Sequence, residues 1–289
     1  MLCLLAANTS SADTTSPKSI SWIKWDQRPI FYTDPSSQKV EGIYQNIIDY
    51  LHSNAPLNEY QQKELMVNHS RFNRIAQSPD NCYLGWVTYN DLRIESRPIT
   101  MIKPWAIWTL ADKQEVFGEP DSLLSLERLI LDPNVKVGVI KHFTYSQSVL
   151  DILIKHKGNP SLIVANTSAI EINPRTLIAG RMDVFLGNPG QMQRKRKEAH
   201  TKSQFIKYGI KEANEHRTML VSCADDKKGR QVISAINQFI EKDPQSFYEQ
   251  ILKFHHEWLG EITSSFLEQF KAQVFPIKSS SQFLNHRQQ

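Results

Sequence analysis

The chain has 289 residues, 40% of them apolar and 22% charged, with a formal net charge of +4. It is long for one domain and comfortable for two, and its composition excludes a globally disordered chain. The positive excess is too mild for the usual nucleic-acid binder, and no apolar run approaches the roughly 18 residues of a membrane-spanning helix.

The N-terminus carries a short apolar run, Leu2 to Ala7, then Ser10-Ser11-Ala12 and a polar spacer. Small residues at the two positions a signal peptidase reads make this similar to the end of a secretory signal. Residues 1–12 are therefore expected to be a residual signal peptide, its start lying inside the signal, and the protein to be periplasmic. A frayed apolar end is the plainer alternative. Once Cys3 leaves with the signal, Cys82 and Cys223 remain. An even pair in an exported protein suits one disulfide, and two buried thiols in separate strands are the other reading.

Residues 20–32, Ile-Ser-Trp-Ile-Lys-Trp-Asp-Gln-Arg-Pro-Ile-Phe-Tyr, begin as a strand. They break at Arg28-Pro29, because the residue before a proline is held out of the helical region. Ligands in open α/β sheets sit beyond the carboxyl ends of strands, so the loop suits a ligand site. A core strand with a loop packed by its own aromatics competes with that reading.

Ile43, Ile47 and Leu51 recur every four residues and predict a helix over 42–51. A strand follows over 63–67, then a helix over 71–77 capped by Ser70. A third strand over 81–87 places Cys82, Leu84 and Trp86 on one face. This β-α-β-α-β order implies a mainly parallel sheet with helical crossovers. A polar segment, 88–96, carries Arg93 and leads to Arg97, and a further strand runs over 104–110.

Near Asp112 a second βαβ pattern starts. Helices are predicted over 122–131, 146–156 and 168–179, and strands over 135–140, 161–165 and 182–186. Gly187-Asn188-Pro189-Gly190 closes the last of these. Residues 193–202 form the densest basic run, but no aromatics interleave with it for base stacking, so it reads as a solvated face. A strand returns over 218–222. Helices follow over 230–241, over 244–258 with Pro244 at its favoured first position, and over 261–274. The tail is polar.

No HExxH, P-loop, GxSxG or GxGxxG motif is present. His255 and His256 are helix neighbours, whose side chains point about 100° apart and do not converge on one metal. No cofactor is expected.

Several short motifs, loose singly, recur in a shared order. They are Trp22-Ile-Lys-Trp-Asp26 with Pro29 and Phe31, Gly42-Ile43, and Asn68-His-Ser-Arg71. Cys82-Tyr-Leu-Gly85, Arg93, Lys136-Val-Gly-Val139, Gly180-Arg-Met-Asp183 and Cys223 to Asn237 continue the series. Over about residues 20–260 the chain resembles the extracellular solute-binding protein family 3, the periplasmic amino-acid-binding type with the type II fold.

The resemblance implies an α/β chain of two lobes joined by two hinge crossings. Lobe 1 would comprise 19–110 and the return segment 212–275, lobe 2 would comprise 111–211, and 276–289 would be a flexible tail. It implies ligand contacts from Trp25, Asp26, Phe31 and Tyr32 after the first strand, and from Thr144 and Tyr145 at a helix start in lobe 2. The family's arginine that clamps a ligand carboxylate maps to Arg93. Here Tyr89-Asn-Asp-Leu-Arg93 replaces the usual Thr-Pro-Glu-Arg, which leaves Arg97 as the alternative. Asn188 stands where the family carries an acidic residue for a ligand amino group. The implied function is capture of a small polar or anionic molecule by hinge closure, without chemistry. The partner would be an ABC permease or a membrane sensor, with no nucleic acid, and the protein would be a monomer. An enzyme of dehydratase or lyase type on the same scaffold, and an interaction protein with a decayed cleft, are the alternatives.

Overall fold

The structure is a computed structural model and describes residues 18–25, 27, 29–34, 36–76, 78, 81–86, 92–102, 105–141, 145–165, 174–189, 192, 203–213, 215–260 and 262–275. The expected signal segment, the basic run 193–202 and the tail from 276 lie outside these residues.

The chain opens with β1 (Ser19–Trp25), the short hairpin β2 (Tyr32–Thr33) and β3 (Val40–Glu41), and helix α1 (Ile43–Asn54). Then come β4 (Gln61–Val67), α2 (His69–Ala76), β5 (Asn81–Trp86), β6 (Arg93–Glu95) and β7 (Thr100–Ile102). The α1 periodicity works as expected: Ile43, Ile47, Ile48 and Leu51 are all buried. Its start is fixed by Gly42, whose φ is 132° and whose hypothetical Cβ would lie 2.2 Å from the Ile30 carbonyl oxygen. Only glycine permits that approach.

The middle of the chain forms β8 (Ala106–Leu110), α3 (Gln114–Phe117), β9 (Leu123–Leu124), α4 (Leu126–Leu131) and β10 (Val137–Ile140). It continues with α5 (Gln147–Lys155), β11 (Leu162–Ala165), α6 (Pro174–Ile178), β12 (Val184–Gly187) and β13 (Phe205–Ile210). The chain then returns through β14 (Arg217–Ala224) to α7 (Lys227–Lys242), α8 (Pro244–Leu259) and α9 (Ser264–Gln273). Asp226, Asp243 and Thr263 cap these three helices, accepting from Gly229, Ser246 and Phe266 backbone N–H groups. Such caps satisfy donors that a helix start leaves open.

Two six-stranded sheets result. The first has the order β4-β1-β5-β14-β6, with β7 also on β14, and the second the order β11-β10-β12-β8-β13-β9. In the first, β4, β1 and β5 are parallel, and β14, β6 and β7 add antiparallel. In the second, β11, β10 and β12 are parallel and β8 joins antiparallel. Each sheet has its own apolar core: Trp22, Ile47, Leu84 and Ile236 belong to one, Ile107, Val137, Leu186 and Tyr208 to the other.

Several elements depart from the sequence expectation, among them strands β6 and β7, which follow on from a segment read only as polar. β8, read from sequence as the end of the first lobe, pairs with β12 and β13 in the second sheet. β13 was not anticipated and fills the space between β8 and β9. The helix expected from 122 begins only at Leu126, because Leu123–Leu124 pair with β13.

Cys82 and Cys223 are joined in a disulfide, with Cα atoms 4.1 Å apart. They are direct partners across β5 and β14, at a sequence separation of 141. The bond therefore ties the return segment to the strand that precedes the whole of lobe 2.

Candidate functional site

The parallel strands β1, β4 and β5 end at Trp25, Val67 and Trp86, on one edge of the first sheet. β14 runs antiparallel to β5, with Met219 opposite Trp86, so its first residue, Arg217, lies at that same edge. Arg217 in turn pairs with Ile102, the last residue of β7. Both crossings into lobe 2 thus leave from the carboxyl edge of the parallel strands. They enter lobe 2 where Ala106 pairs with Gly187 and Gly209, beside the carboxyl end of β12. Each lobe turns toward the crossings the edge where α/β sheets bind ligands.

The aromatic residues after β1 are at this edge but are packed inward. Trp25 is 1% exposed and Phe31 0%. Trp25 meets Phe31, Tyr44, Phe72 and Trp86 edge-on, and its indole N–H donates to Gln27 Oε1 at 2.8 Å. The loop is fastened to the start of α1, whose Ile43 and Tyr44 N–H groups donate to the Pro29 and Ile30 carbonyls. Tyr32 turns to the hairpin, donating to Glu41 and meeting Trp258. These side chains form the wall's packing. Asp26 lies outside the described residues.

Arg93 is at the wrong edge for a clamp. It pairs with Ala224, the last residue of β14, beside Asn81, the first of β5. It is 5% exposed, and its guanidinium donates to Ser222 Oγ and O, Asn81 Oδ1 and O, and Ala76 O. A guanidinium has five N–H donors, and all are occupied. Its ring neighbour is Tyr83, at 4.8 Å. Arg93 is a structural bolt between β5, β6 and β14, which corrects the carboxylate assignment. Arg97 is committed to α7: its guanidinium meets Glu241 and its backbone N–H donates to Asn237 Oδ1 at 2.8 Å.

In lobe 2, Tyr145 and Asn188 both lie at the crossing edge and both are buried. The Tyr145 hydroxyl accepts from the Ile140 N–H at 2.8 Å, and its ring lies against Trp105 of the first crossing, centroids 5.1 Å apart. Asn188 follows β12 directly, and its carbonyl accepts from Met192 N–H. Thr144 lies outside the described residues. Asp183 is engaged by Lys113 and by the Lys136 N–H, as befits a strand-end residue.

Two residues that the sequence did not single out complete the lobe 1 edge. The Arg217 guanidinium lies 5.1 Å over the Trp86 ring, and among the described residues no side chain accepts a hydrogen bond from it. Burial lowers its pKa, partly offset by the Tyr44 phenol nearby. Tyr44 is 2% exposed. Burial raises its pKa and the Arg217 cation opposes that rise; Trp25 packs edge-on against both Tyr44 and Trp86, the ring beneath Arg217. No signal local to either residue marks them; the register of β14 against β5 does. No group of three or more metal-ligating side chains occurs among the described residues. No helix there is long and apolar enough to cross a membrane.

No family model matches the chain, and no curated protein matches it in sequence. Solved structures do match in fold. A Listeria monocytogenes protein assigned as an L-cystine ABC transporter aligns with a TM-score of 0.60 at 12% identity, over 84% of this chain and 96% of its own. An ancestral arginine-binding protein bound to arginine aligns with a TM-score of 0.60 at 15% identity, over 84% and 99%. An ancestral amino-acid-binding protein, a precursor of cyclohexadienyl dehydratase, aligns with a TM-score of 0.57 at 13% identity, over 84% and 96%. The chain therefore has the two-lobed α/β fold found in amino-acid ABC transporter binding proteins. That is the fold the sequence motifs implied.

Proposed function

We propose that the protein captures a small amino-acid-like or carboxylate ligand between its lobes by hinge closure, and does no chemistry on it. The observation that carries this reading is the placement of both crossings at the carboxyl edges of both sheets. Rotation about two adjacent strands opens and closes the space between those edges, and this is a recurrent way of clamping a small molecule. The similar structures include one bound to arginine and one bound to glutamine, which supports an amino-acid-like ligand. In this reading lobe 1 comprises 19–102 and 217–275. The protein is periplasmic and monomeric, and presents its closed form to an ABC permease or a membrane sensor.

Thermal denaturation against the amino acids, small carboxylates and short peptides tests the reading. A ligand at about 100 times its Kd adds roughly 2.7 kcal/mol to the folded state, a clear upward shift of Tm. Small-angle scattering should show a more compact particle with the same compound. If no compound of these classes moves Tm, the reading fails. One similar structure is a precursor of a dehydratase, so each stabilising compound should also be followed by NMR. Its consumption would favour an enzyme on this scaffold.

A further inference from the structure

We propose that Arg217 and Tyr44 together form the oxyanion-receiving site of lobe 1 and take the carboxylate of the captured molecule. The inference rests on the solute-binding reading and assigns residues to it.

Arg217 is unusual among the partly buried cations. Lys24 meets Glu64, Arg97 meets Glu241, and Lys113 meets Asp183. Arg93 meets oxygens with every donor. Among the described residues Arg217 has only the face of Trp86 beneath it. A ring face stabilises a cation and leaves the N–H groups at the guanidinium's rim unused. A desolvated cation with unused donors is costly unless an anion completes it.

Tyr44 adds the second observation. Its ring is almost wholly enclosed, while its hydroxyl has no partner among the described residues and is not sealed from solvent. The two donors come from different elements, the start of α1 and the start of β14, and are linked at the edge where the crossings leave by Trp25, which packs on both Tyr44 and Trp86. Both are held in place. Tyr44 is fixed through its N–H to the Ile30 carbonyl and by ring contacts with Trp25 and Phe31. Arg217 is fixed by its β14 pairing and by Trp86.

A guanidinium fork receives a carboxylate through two parallel N–H···O bonds, and the phenol donates a third bond to the same group. The ligand would then bear on the first residue after the second crossing. Capture would thereby touch a strand through which lobe 2 is hung.

The test uses the full chain and paired probes: L-arginine with L-argininamide, L-glutamine with L-glutamine amide, and succinate with succinamide. In the wild type at least one carboxylate should raise Tm while its amide does not. Arg217→Gln should abolish that response. Arg217→Lys, which keeps the charge over Trp86 without the fork, should weaken binding at least about tenfold, and Tyr44→Phe about tenfold. Each variant's Tm without probe reports whether it folds, and Tyr44→Phe removes a single oxygen, so it keeps the test open if Arg217→Gln does not fold. If the amide stabilises as well as the carboxylate, or folded variants respond like the wild type, the Arg217–Tyr44 assignment is overturned while the solute-binding reading stands. If no probe moves the wild type, both fall.

Discussion

Arg93 on β6 and Ser222 on β14 are bonded twice, through the Ser222 hydroxyl at 3.2 Å and its carbonyl at 2.6 Å. This pairing makes Arg93 part of the sheet's frame. Arg93→Ala would strand the buried oxygens of Ala76, Asn81 and Ser222. We predict a loss of about 3–5 kcal/mol in unfolding free energy, as for other buried charged networks broken on one side. The response to ligand should survive at temperatures where the variant is folded. Urea denaturation measures the first outcome and thermal shift the second. A variant of normal stability that no longer responds to ligand would restore the clamp reading.

The Cys82–Cys223 bond closes a loop of 141 residues in sequence separation. On the chain-entropy account, cross-links over loops of that size stabilise by up to about 5 kcal/mol, and natural ones more often by 2–4. The Cys82→Ala/Cys223→Ala double variant and the reduced wild type should therefore both melt several degrees lower. Thiol titration of unreduced, denatured protein should find neither Cys82 nor Cys223 free. Two reactive thiols from this pair would contradict the bond.

Gly42→Ala should be severely destabilising for a single methyl group. The added carbon would meet the Ile30 carbonyl, and the φ of 132° is strained for any L side chain. Backbone strain alone costs about 1–3 kcal/mol, and relieving the clash must shift the Pro29–Phe31 loop. Because that loop fixes Tyr44, residual ligand response should fall as well. A denaturation midpoint equal to wild type would show that the loop gives way freely.

Asp183 gives lobe 2 a defined acid sensitivity. Burial pushes its carboxyl pKa up, but the Lys113 ammonium and the Lys136 N–H outweigh this and hold it below the usual range. A carboxyl whose folded pKa is depressed contributes its full stability above the unfolded value, about 3.9. That contribution is lost as pH falls through the folded value. The group is partly exposed, so the effect is modest, at most about 1 kcal/mol. Asp183→Asn should lower stability slightly at pH 7 and flatten its decline below about pH 4. An unchanged acid limb would count against the pairing.

The elements and their type were largely legible, because periodicity reports which face is buried. Ile43, Ile47 and Leu51 on α1, and Val232, Ile233, Ile236 and Ile240 on α7, are core as their spacing implied. Membership of a sheet was less legible. Ala106–Leu110 follows lobe 1 in sequence, yet its hydrogen bonds go to β12 and β13. The position of a residue along a strand was not legible at all. Arg93 and Arg217 are both arginines that begin strands, β6 and β14. The two strands run antiparallel, and each start lies at the opposite edge of the sheet. Only the register separates a bolt at the amino edge from a guanidinium stacked on Trp86 at the carboxyl edge. The aromatic loop was assigned to the ligand for a related reason. Composition reports Trp25 and Phe31, but not that α1 would close over them.

Ile102 and Arg217 are ladder partners, which places the outgoing and incoming chain about 5 Å apart. Lobe 2 hangs from lobe 1 by a doorway no wider than a hairpin turn, so it is a cassette grafted into an otherwise continuous domain. A shortened chain in which a two-residue Asn-Gly turn joins Ile102 to Arg217 is expected to fold by itself, since β14, α7 and the strands they meet lie wholly on one side of the doorway. Formation of the Cys82–Cys223 bond in that miniature would report success, and two free thiols would report failure.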